Sequence, residues 1–556
     1  MIDIQPLHLT FANLLNGRLF NIPDYQRAYS WTSRERKDLF EDINNLQGEN
    51  ASHFMAVIVC LRKKKITLGT HEFHKLDIVD GQQRLTTLII LLNAIRLALN
   101  CEDAGEELTA RELKELLVKV GGDNLLLLQT NHDTSHHFAD FIRYGKSEDP
   151  EKGKTLADRE LLAAIADCKK FVKDWVENGH ELTLLVGHIK NRLSFILHEI
   201  SDEKTVYTVF EVLNSRGMEV SWLDRLKSIL MGAAYTLEDA DSEQLIKDLR
   251  IIWSDIYSTV GLTQGLSTEA LRFAATLRAS TPQNRPMSEQ AAVDEFRSAA
   301  HDAREIRDVA RWLLQVTKAC DAVVSKHRLN AVTRISQARL LAVAIHLCER
   351  VTKKDQARLL SIWEKVSFRI YGMLRHDART RVGEYARLAR KIVRENLTVD
   401  EIFNEIRSIG NDFPIEDAVK ALRNANCYEG WQEELRYFMF RYEEYLTKQK
   451  GNKFKNEQWE KIWSVSPSKS IEHIYPQNTA PDHVKHRLGN LLLLPPSLNS
   501  RLGGMPSKKK FEKYRETGLL IAVEVASNKR WSIKAIRLRE RKILEWASRE
   551  WDSTEE

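Results

Sequence analysis

Near the end of the 556-residue chain, Ser470-Ile-Glu-His-Ile-Tyr-Pro476 sets Glu472 beside His473 in a short β-prone run that a proline stops. A second strand-like run, Leu488-Gly-Asn-Leu-Leu-Leu-Leu-Pro-Pro496, carries Asn490, and Asn499 follows at a helix start in Ser497-Leu-Asn-Ser-Arg501. Two short strands and a helix can bring an acid, a histidine and an asparagine onto one patch. Hydrolysis of a phosphodiester asks for little more: a base to activate water, and a hard cation held by oxygen ligands to neutralise the leaving oxygen. A lone histidine is more often packed or on the surface than catalytic. The ordered set therefore carries the expectation, not His473 alone. His483 and His486 sit in a polar loop and read as surface histidines, with a ligand role as the alternative.

A second set lies near the start. Ile78-Val-Asp-Gly-Gln-Gln-Arg-Leu-Thr-Thr-Leu88 reads as a buried strand turning through glycine into an apolar helix. Such a helix N-terminus offers free N–H groups and a positive dipole end to an anion. Gly81 would let the backbone approach, Gln82 and Gln83 supply neutral hydrogen bonds, and Arg84 could fork onto a phosphate. A plain β–α turn with Arg84 as a surface cap explains this segment equally well. Two further polar and aromatic stretches tilt the balance towards a ligand: Asn21-Ile-Pro-Asp-Tyr-Gln-Arg-Ala-Tyr-Ser-Trp31 and Phe210-Glu-Val-Leu-Asn-Ser-Arg-Gly217. No Walker A loop occurs.

The elements that would position these sets follow from patterning. Residues 1–232 mix β-branched runs, such as Phe54-Met-Ala-Val-Ile-Val-Cys-Leu61 and Lys75-Leu-Asp-Ile-Val79, with helices, and read as α+β. From 233 to 450 apolar residues recur at helical spacing, as in Ala338–Cys348 and Leu359–Val366, which predicts a helical connector. A polar, Lys-rich stretch from Thr447 to Lys455 reads as a linker, after which glycine, proline and strand signals return in 451–556.

At roughly 100–200 residues per domain, the length also predicts about three units. With 43% hydrophobic and 29% charged residues, 12 Pro and 24 Gly, a disordered or collagen-like chain is excluded. The formal charge of +5 is too small to announce a nucleic-acid binder, but it is unevenly spread. Between Arg501 and Glu550, fourteen Lys and Arg stand against six Glu, a local +8. That segment is either a solvated helical surface or a phosphate-binding one.

Cys60, Cys101, Cys168, Cys320, Cys348 and Cys427 contain no C-x-x-C pair, so neither a zinc knuckle nor a disulfide framework is expected. The run Leu85 to Leu99 is broken by Asn93 and Arg96 and falls short of the ~20 residues a membrane span needs. With no signal-peptide pattern at the first residues, a soluble cytoplasmic protein without a membrane partner is expected.

The C-terminal set, Glu-His-Ile-x-Pro, then Leu-Gly-Asn-Leu, then Leu-Asn-Ser followed by Lys510 and Tyr514, resembles the HNH (ββα-metal) nucleases over about 470–515. The particular branch is that found at the C-terminal end of GmrSD-type modification-dependent restriction enzymes. The resemblance implies that His473 activates water, that Glu472 and Asn499 hold one divalent metal (Mg²⁺ or Mn²⁺), that Asn490 fixes the loop orienting His473, and that Lys510 lies near the phosphate. Many HNH enzymes carry Asp or His where this chain has Glu472. It also lacks the structural zinc cysteines of some relatives.

The N-terminal motifs resemble, in order, the ParB/sulfiredoxin-like domain that heads GmrSD-type proteins, over about 8–232. That resemblance implies binding and hydrolysis of a nucleoside triphosphate at Asp80, Gly81, Gln82, Gln83 and Arg84, with Gln26, Arg27, Asn214 and Arg216 as wall residues. The nucleophilic cysteine of sulfiredoxins is absent from the equivalent turn.

Together the two resemblances imply a type IV restriction endonuclease of antiphage defence, a nucleotide-regulated enzyme acting on modified DNA. A single such site nicks one strand, so a double-strand break would take two active sites, as in a homo-oligomer, or two passes. The alternative is a nucleotide-gated DNA-binding switch or clamp that does not cut.

Overall fold

The structure is a computed structural model that describes residues 6–23, 26, 28–47, 52–68, 70–119, 125–130, 135–201, 221–237, 242–263, 265–332, 335–423, 425–452, 454 and 456–553. The fold is α+β and multidomain, as the sequence predicts. By compactness the chain divides into two units, Met1–Leu271 with Glu289–Thr317, and Arg272–Ser288 with Lys318–Glu556. The expected boundaries near 232 and 450 fall inside the first and the second unit respectively.

The first unit is organised by strands β1 (Pro6–Thr10), β2 (Arg18–Ile22), β3 (His53–Leu68), β4 (His71–Asp80), β5 (Val118–Lys119), β6 (Leu125–Leu126), β7 (Leu128–Thr130) and β8 (Leu193–Ile200). Six of them form one mixed sheet in the order β1-β8-β3-β4-β2-β7, while β5 and β6 make a small ladder of their own. The β3–β4 hairpin runs well past the expected strands because Arg62-Lys-Lys-Lys65 continues it as a solvated ribbon, where polar residues satisfy both faces. Helix Gln82–Ala98 is apolar on every side, and a helix of that kind must be covered all round. It is: Leu85, Leu88, Ile89, Ile90, Leu91, Leu92 and Ile95 are each at most 1% exposed, and helix Leu156–Glu177 packs along it. The turn that opens this helix is thereby fixed at the end of β4.

In the second unit, the expected helices appear as Ser336–Leu347 and Lys353–Ser367. Beyond them helix Gln432–Gln449 carries buried aromatic residues on several sides and serves as the spine of the C-terminal segment. Phe438 lies 4.9 Å from the Trp551 ring and meets Trp546 edge-on, and offset or edge contacts of this type add to area burial. Glu443, buried in the same helix, accepts from the backbone N–H groups of Leu520 and Ile521 at 2.7 Å each, which satisfies the N-terminus of helix Leu520–Ala526. The residues from 451 onward are therefore built onto helical chain that precedes them. Strands β9 (Ile471–His473) and β10 (Leu491–Leu493) are antiparallel, with His473 opposite Leu491 and Glu472 opposite Leu492, and helix Pro496–Leu502 follows. The expected order of two short strands and a helix is present.

Candidate functional site

Successive side chains of a strand leave on opposite faces, and that rule divides the Glu472–His473 pair. Glu472 turns into the core beneath β9, only 4% exposed. One carboxylate oxygen accepts from Lys510 Nζ at 2.7 Å and from the Tyr514 hydroxyl at 2.7 Å. Both partners come from helix Ser507–Glu516, where the spacing Lys510 to Tyr514 is one helical turn. Lys510, wholly buried, also donates to the His473 carbonyl at 2.9 Å. Burial pushes the Glu472 carboxyl up, and the Lys510 ammonium opposes that shift.

His473 turns the other way. Its Nε2 lies 3.0 Å from His486 Nδ1, and its Nδ1 lies 2.8 Å from the Gln477 amide. The Tyr428 ring meets His473 edge-on at 4.8 Å and stacks on His486 at 5.1 Å. Burial, reinforced by His486 and Lys510, pushes the His473 imidazole down to about 3, and burial lowers His486 as well. Both rings are neutral at physiological pH. Each then has one donor and one acceptor nitrogen, so the 3.0 Å contact lets one ring donate to the other. Such a pair can take a proton from water at one ring and share it with the next.

The loop between the strands is fixed by Asn490. Its amide donates to the carbonyls of Lys485 at 2.9 Å and Tyr475 at 3.2 Å, and its oxygen accepts from the Tyr475 backbone at 2.8 Å. Arg539, buried in helix Ile533–Glu550, donates to the carbonyls of Gly489 and Leu491 at 3.0 and 2.8 Å. A Cβ at Gly489 would fall 2.2 Å from the Ile536 carbonyl oxygen, so only glycine permits this approach. Asn499 pins helix Pro496–Leu502 to β9 by donating to the carbonyls of Lys469 and Ile471 at 2.9 and 3.1 Å.

Glu472 is thus engaged inside the fold, whereas Asn499 is half-buried and commits its amide nitrogen to backbone carbonyls. Among the described residues no group of three His, Cys, Asp or Glu side chains is disposed to hold a metal ion. The donor set that the resemblance implies does not fit a divalent cation in this arrangement, because the Glu472 carboxylate is already held by an ammonium and a hydroxyl. His486 is the residue that sequence reading set aside as a surface histidine. Its contact with His473 arises from a loop closure, Cys427 N–H to His486 carbonyl at 2.8 Å among the bonds, that no spacing announces.

In the first unit the Asp80–Arg84 turn and the Pro-led loop come together. Gly81 has φ +92°, and the Asp80 carboxylate accepts from its N–H at 2.8 Å. A Cβ there would lie 3.0 Å from Ile58 Cγ1. Gly81→Ala is expected to cost about 1–2 kcal/mol for the left-handed backbone alone, visible as a lowered melting temperature. Gln83, buried, accepts from Ser30 N–H at 2.9 Å and donates to the Ala28 carbonyl at 3.2 Å. Gln26, also buried, donates to the Val79 carbonyl at 2.8 Å, and Tyr29 shares a 2.8 Å hydrogen bond with Thr87. Gln82 is buried beside them, while Arg84 is exposed, its guanidinium 5.8 Å from the Trp31 ring. Arg36, nearly fully buried, joins this loop to helix Leu156–Glu177 through the Trp31 carbonyl, Glu160 and Asp167. Arg27, Asn214 and Arg216 lie outside the described residues.

Among the described residues, no helix is long and apolar enough to cross a membrane. Residues 11–231 match the family described as GmrSD restriction endonuclease, N-terminal domain, and residues 413–546 match GmrSD restriction endonucleases, C-terminal domain. A search of curated proteins returned no match.

Proposed function

The chain belongs to the GmrSD restriction endonuclease family, and from that premise we propose that it is a nucleotide-regulated type IV enzyme that cleaves modified phage DNA at the His473–His486 pair. The observation that carries this reading is a buried imidazole in hydrogen-bond contact with a second one. In the proposed reaction a water attacks phosphorus, its proton passes to an imidazole nitrogen of the pair, and the phosphorus–oxygen bond to the leaving strand end breaks. Gln477 holds the far nitrogen of His473 and so fixes the ring plane. Asn490 holds the loop from which His486 projects. Plasmid nicking with Mg²⁺ or Mn²⁺ supplied, on modified and unmodified DNA, tests the reading directly.

The nucleoside triphosphate is assigned to the Asp80–Arg84 turn. Gln26 and Gln83 support it from inside as braces of the loop, and Arg84 is the outward group able to meet a phosphate. Arg84→Ala is expected to weaken triphosphate binding about tenfold or more, the scale of one charge-assisted hydrogen bond. Titration calorimetry with each of the four common triphosphates checks this, and unchanged affinity for all four removes Arg84 from the pocket.

The second reading, a nucleotide-gated DNA clamp that does not cut, is favoured by one observation, the engagement of Glu472 by Lys510 and Tyr514. Binding of DNA without nicking under any divalent cation would decide for it.

A further inference from the structure

The helical part of the second unit carries a basic loop that neither family match covers. It joins the π-helical turn Phe368–Met373 to helix Val382–Arg394 and reads Leu374-Arg-His-Asp-Ala-Arg-Thr-Arg381. Two of its arginines, Arg375 and Arg381, hold left-handed backbone at φ +59° and +54°, and they are the only non-glycine residues to do so among those described. Bulky residues adopt that region at a cost and persist there where the surroundings over-determine them, a situation concentrated at functional sites.

The surroundings here are explicit. Buried Gln337 donates to the Ala378 carbonyl at 2.9 Å, the Tyr371 hydroxyl donates to the Thr380 carbonyl at 2.8 Å, and Trp431 Nε1 donates to the Gly372 carbonyl at 2.6 Å. Arg381 is spent on Glu384 and Asp412. The loop is therefore a braced platform and not a loose connection, while Arg375, His376 and Arg379 remain exposed upon it. Arg379 makes no side-chain hydrogen bond or ion pair among the described residues; only its backbone N–H is used, by Asp377.

The platform adjoins the histidine pair. Arg375 donates to the Asn426 carbonyl at 3.0 Å and lies over the Trp431 ring, and two residues on, Tyr428 covers His486 and His473. The acids that meet this platform are Asp377 on the loop itself, Glu384 and Asp412, both taken up by Arg381, and Glu429, which accepts from Asn426. A duplex seated at the histidines presents a row of phosphates on either side of the one being cut, and arginine guanidinium groups suit such oxygens in charge and geometry.

We propose that Arg375 and Arg379 form a clamp for the DNA phosphate backbone beside the His473–His486 pair. The proposal rests on the nuclease reading of that pair. It gives the helical segment a role in substrate binding that sequence patterning, which marked it as a connector, did not suggest.

The test uses the full chain on a His473→Ala background, so that DNA is not consumed, and a fluorescent 30-base-pair duplex titrated over a salt series. Adding Arg375→Gly and Arg379→Ala removes two charges, and glycine tolerates the φ of position 375. The log–log salt slope is expected to fall in magnitude by about 1.8, at roughly 0.9 per phosphate contact, with affinity at low salt reduced at least tenfold. Arg379→Glu alone, at an exposed position, should lower the slope by at least half as much, and it covers the case in which the double substitution does not fold. Unchanged slope and affinity in the variants, or a parent protein that does not bind DNA, would overturn the clamp. The nuclease reading is read out separately: a His473→Ala protein that nicks like the wild type sinks that reading whatever the salt slopes show, whereas loss of nicking with unchanged slopes removes only the clamp.

Discussion

Replacing His473 with alanine is expected to lower plasmid nicking by about 10²–10⁴-fold, the range for loss of a positioned general base. The pH profile distinguishes this role from a structural one. Since burial and the neighbouring His486 hold the His473 imidazole down near 3, the base stays neutral across pH 5.5–8, and the wild-type rate should show no acid limb near 6.5. His486→Ala removes a coulombic neighbour and opens the ring to water. Both changes raise the His473 pKa, so an acid limb should move up towards neutrality while the plateau rate at high pH survives in part.

Stability follows the same linkage. An imidazole whose folded pKa is depressed binds fewer protons in the native state than in the unfolded one, so stability is fully present above the unfolded value of about 6.5 and is lost as pH falls towards the folded value. The wild-type melting temperature should decline from pH 7 to pH 5, and the decline should be shallower in His473→Ala. A His473→Ala enzyme with wild-type nicking, or a wild-type profile bending at 6.5, would remove the buried-base assignment.

How much of this was legible in the sequence depends on the range of the interaction. The β9–β10 pair and its helix were readable because the signals are local: two short apolar runs, a proline after each, and a polar helix start. The opposite aim of Glu472 and His473 was readable too, since adjacent strand residues leave on opposite faces, yet a motif read as a string places both on one patch. The contact with His486 was not readable. It depends on the fold of residues 474–490 and on Tyr428 arriving from sixty residues upstream of Leu488, neither of which periodicity encodes. In the first unit, the glycine turn before an apolar helix was local and visible. That Gln26 and Gln83 face inward to tie Val79 and Ala28 was not, because a glutamine reads as polar whether it meets a ligand or a buried carbonyl. The basic loop at 375–381 carries no sequence signal beyond arginine content, since its meaning lies in the braces from Gln337, Tyr371 and Trp431.

The second large effect is expected at Lys510, where the resemblance implies a phosphate contact and the geometry offers a buried ion pair. The Lys510 and Glu472 side chains are 1% and 5% exposed. Breaking such a pair from one side leaves an uncompensated charge and costs about 3–5 kcal/mol, which for a unit of this size is roughly 10 °C in melting temperature. Lys510→Met should show that loss at pH 8.

The Glu472 carboxyl is already pushed up by burial, and removing the ammonium that opposes the shift raises it further. The folded state of Lys510→Met then binds more protons than the unfolded one above about pH 4.5. Stability should therefore rise as pH falls, so the deficit relative to wild type should shrink between pH 8 and pH 5. Combining Lys510→Met with Glu472→Gln removes both charges, and the double variant should melt well above the additive expectation, because coupled neighbours do not add. A phosphate-binding lysine gives the opposite result: weakened DNA affinity, an unchanged melting temperature and simple additivity with Glu472→Gln. A metal-binding Glu472 is equally distinguishable, since Glu472→Gln would then abolish the divalent-dependent rate at unaltered stability, whereas a carboxylate that braces β9 against helix Ser507–Glu516 must lower the melting temperature first.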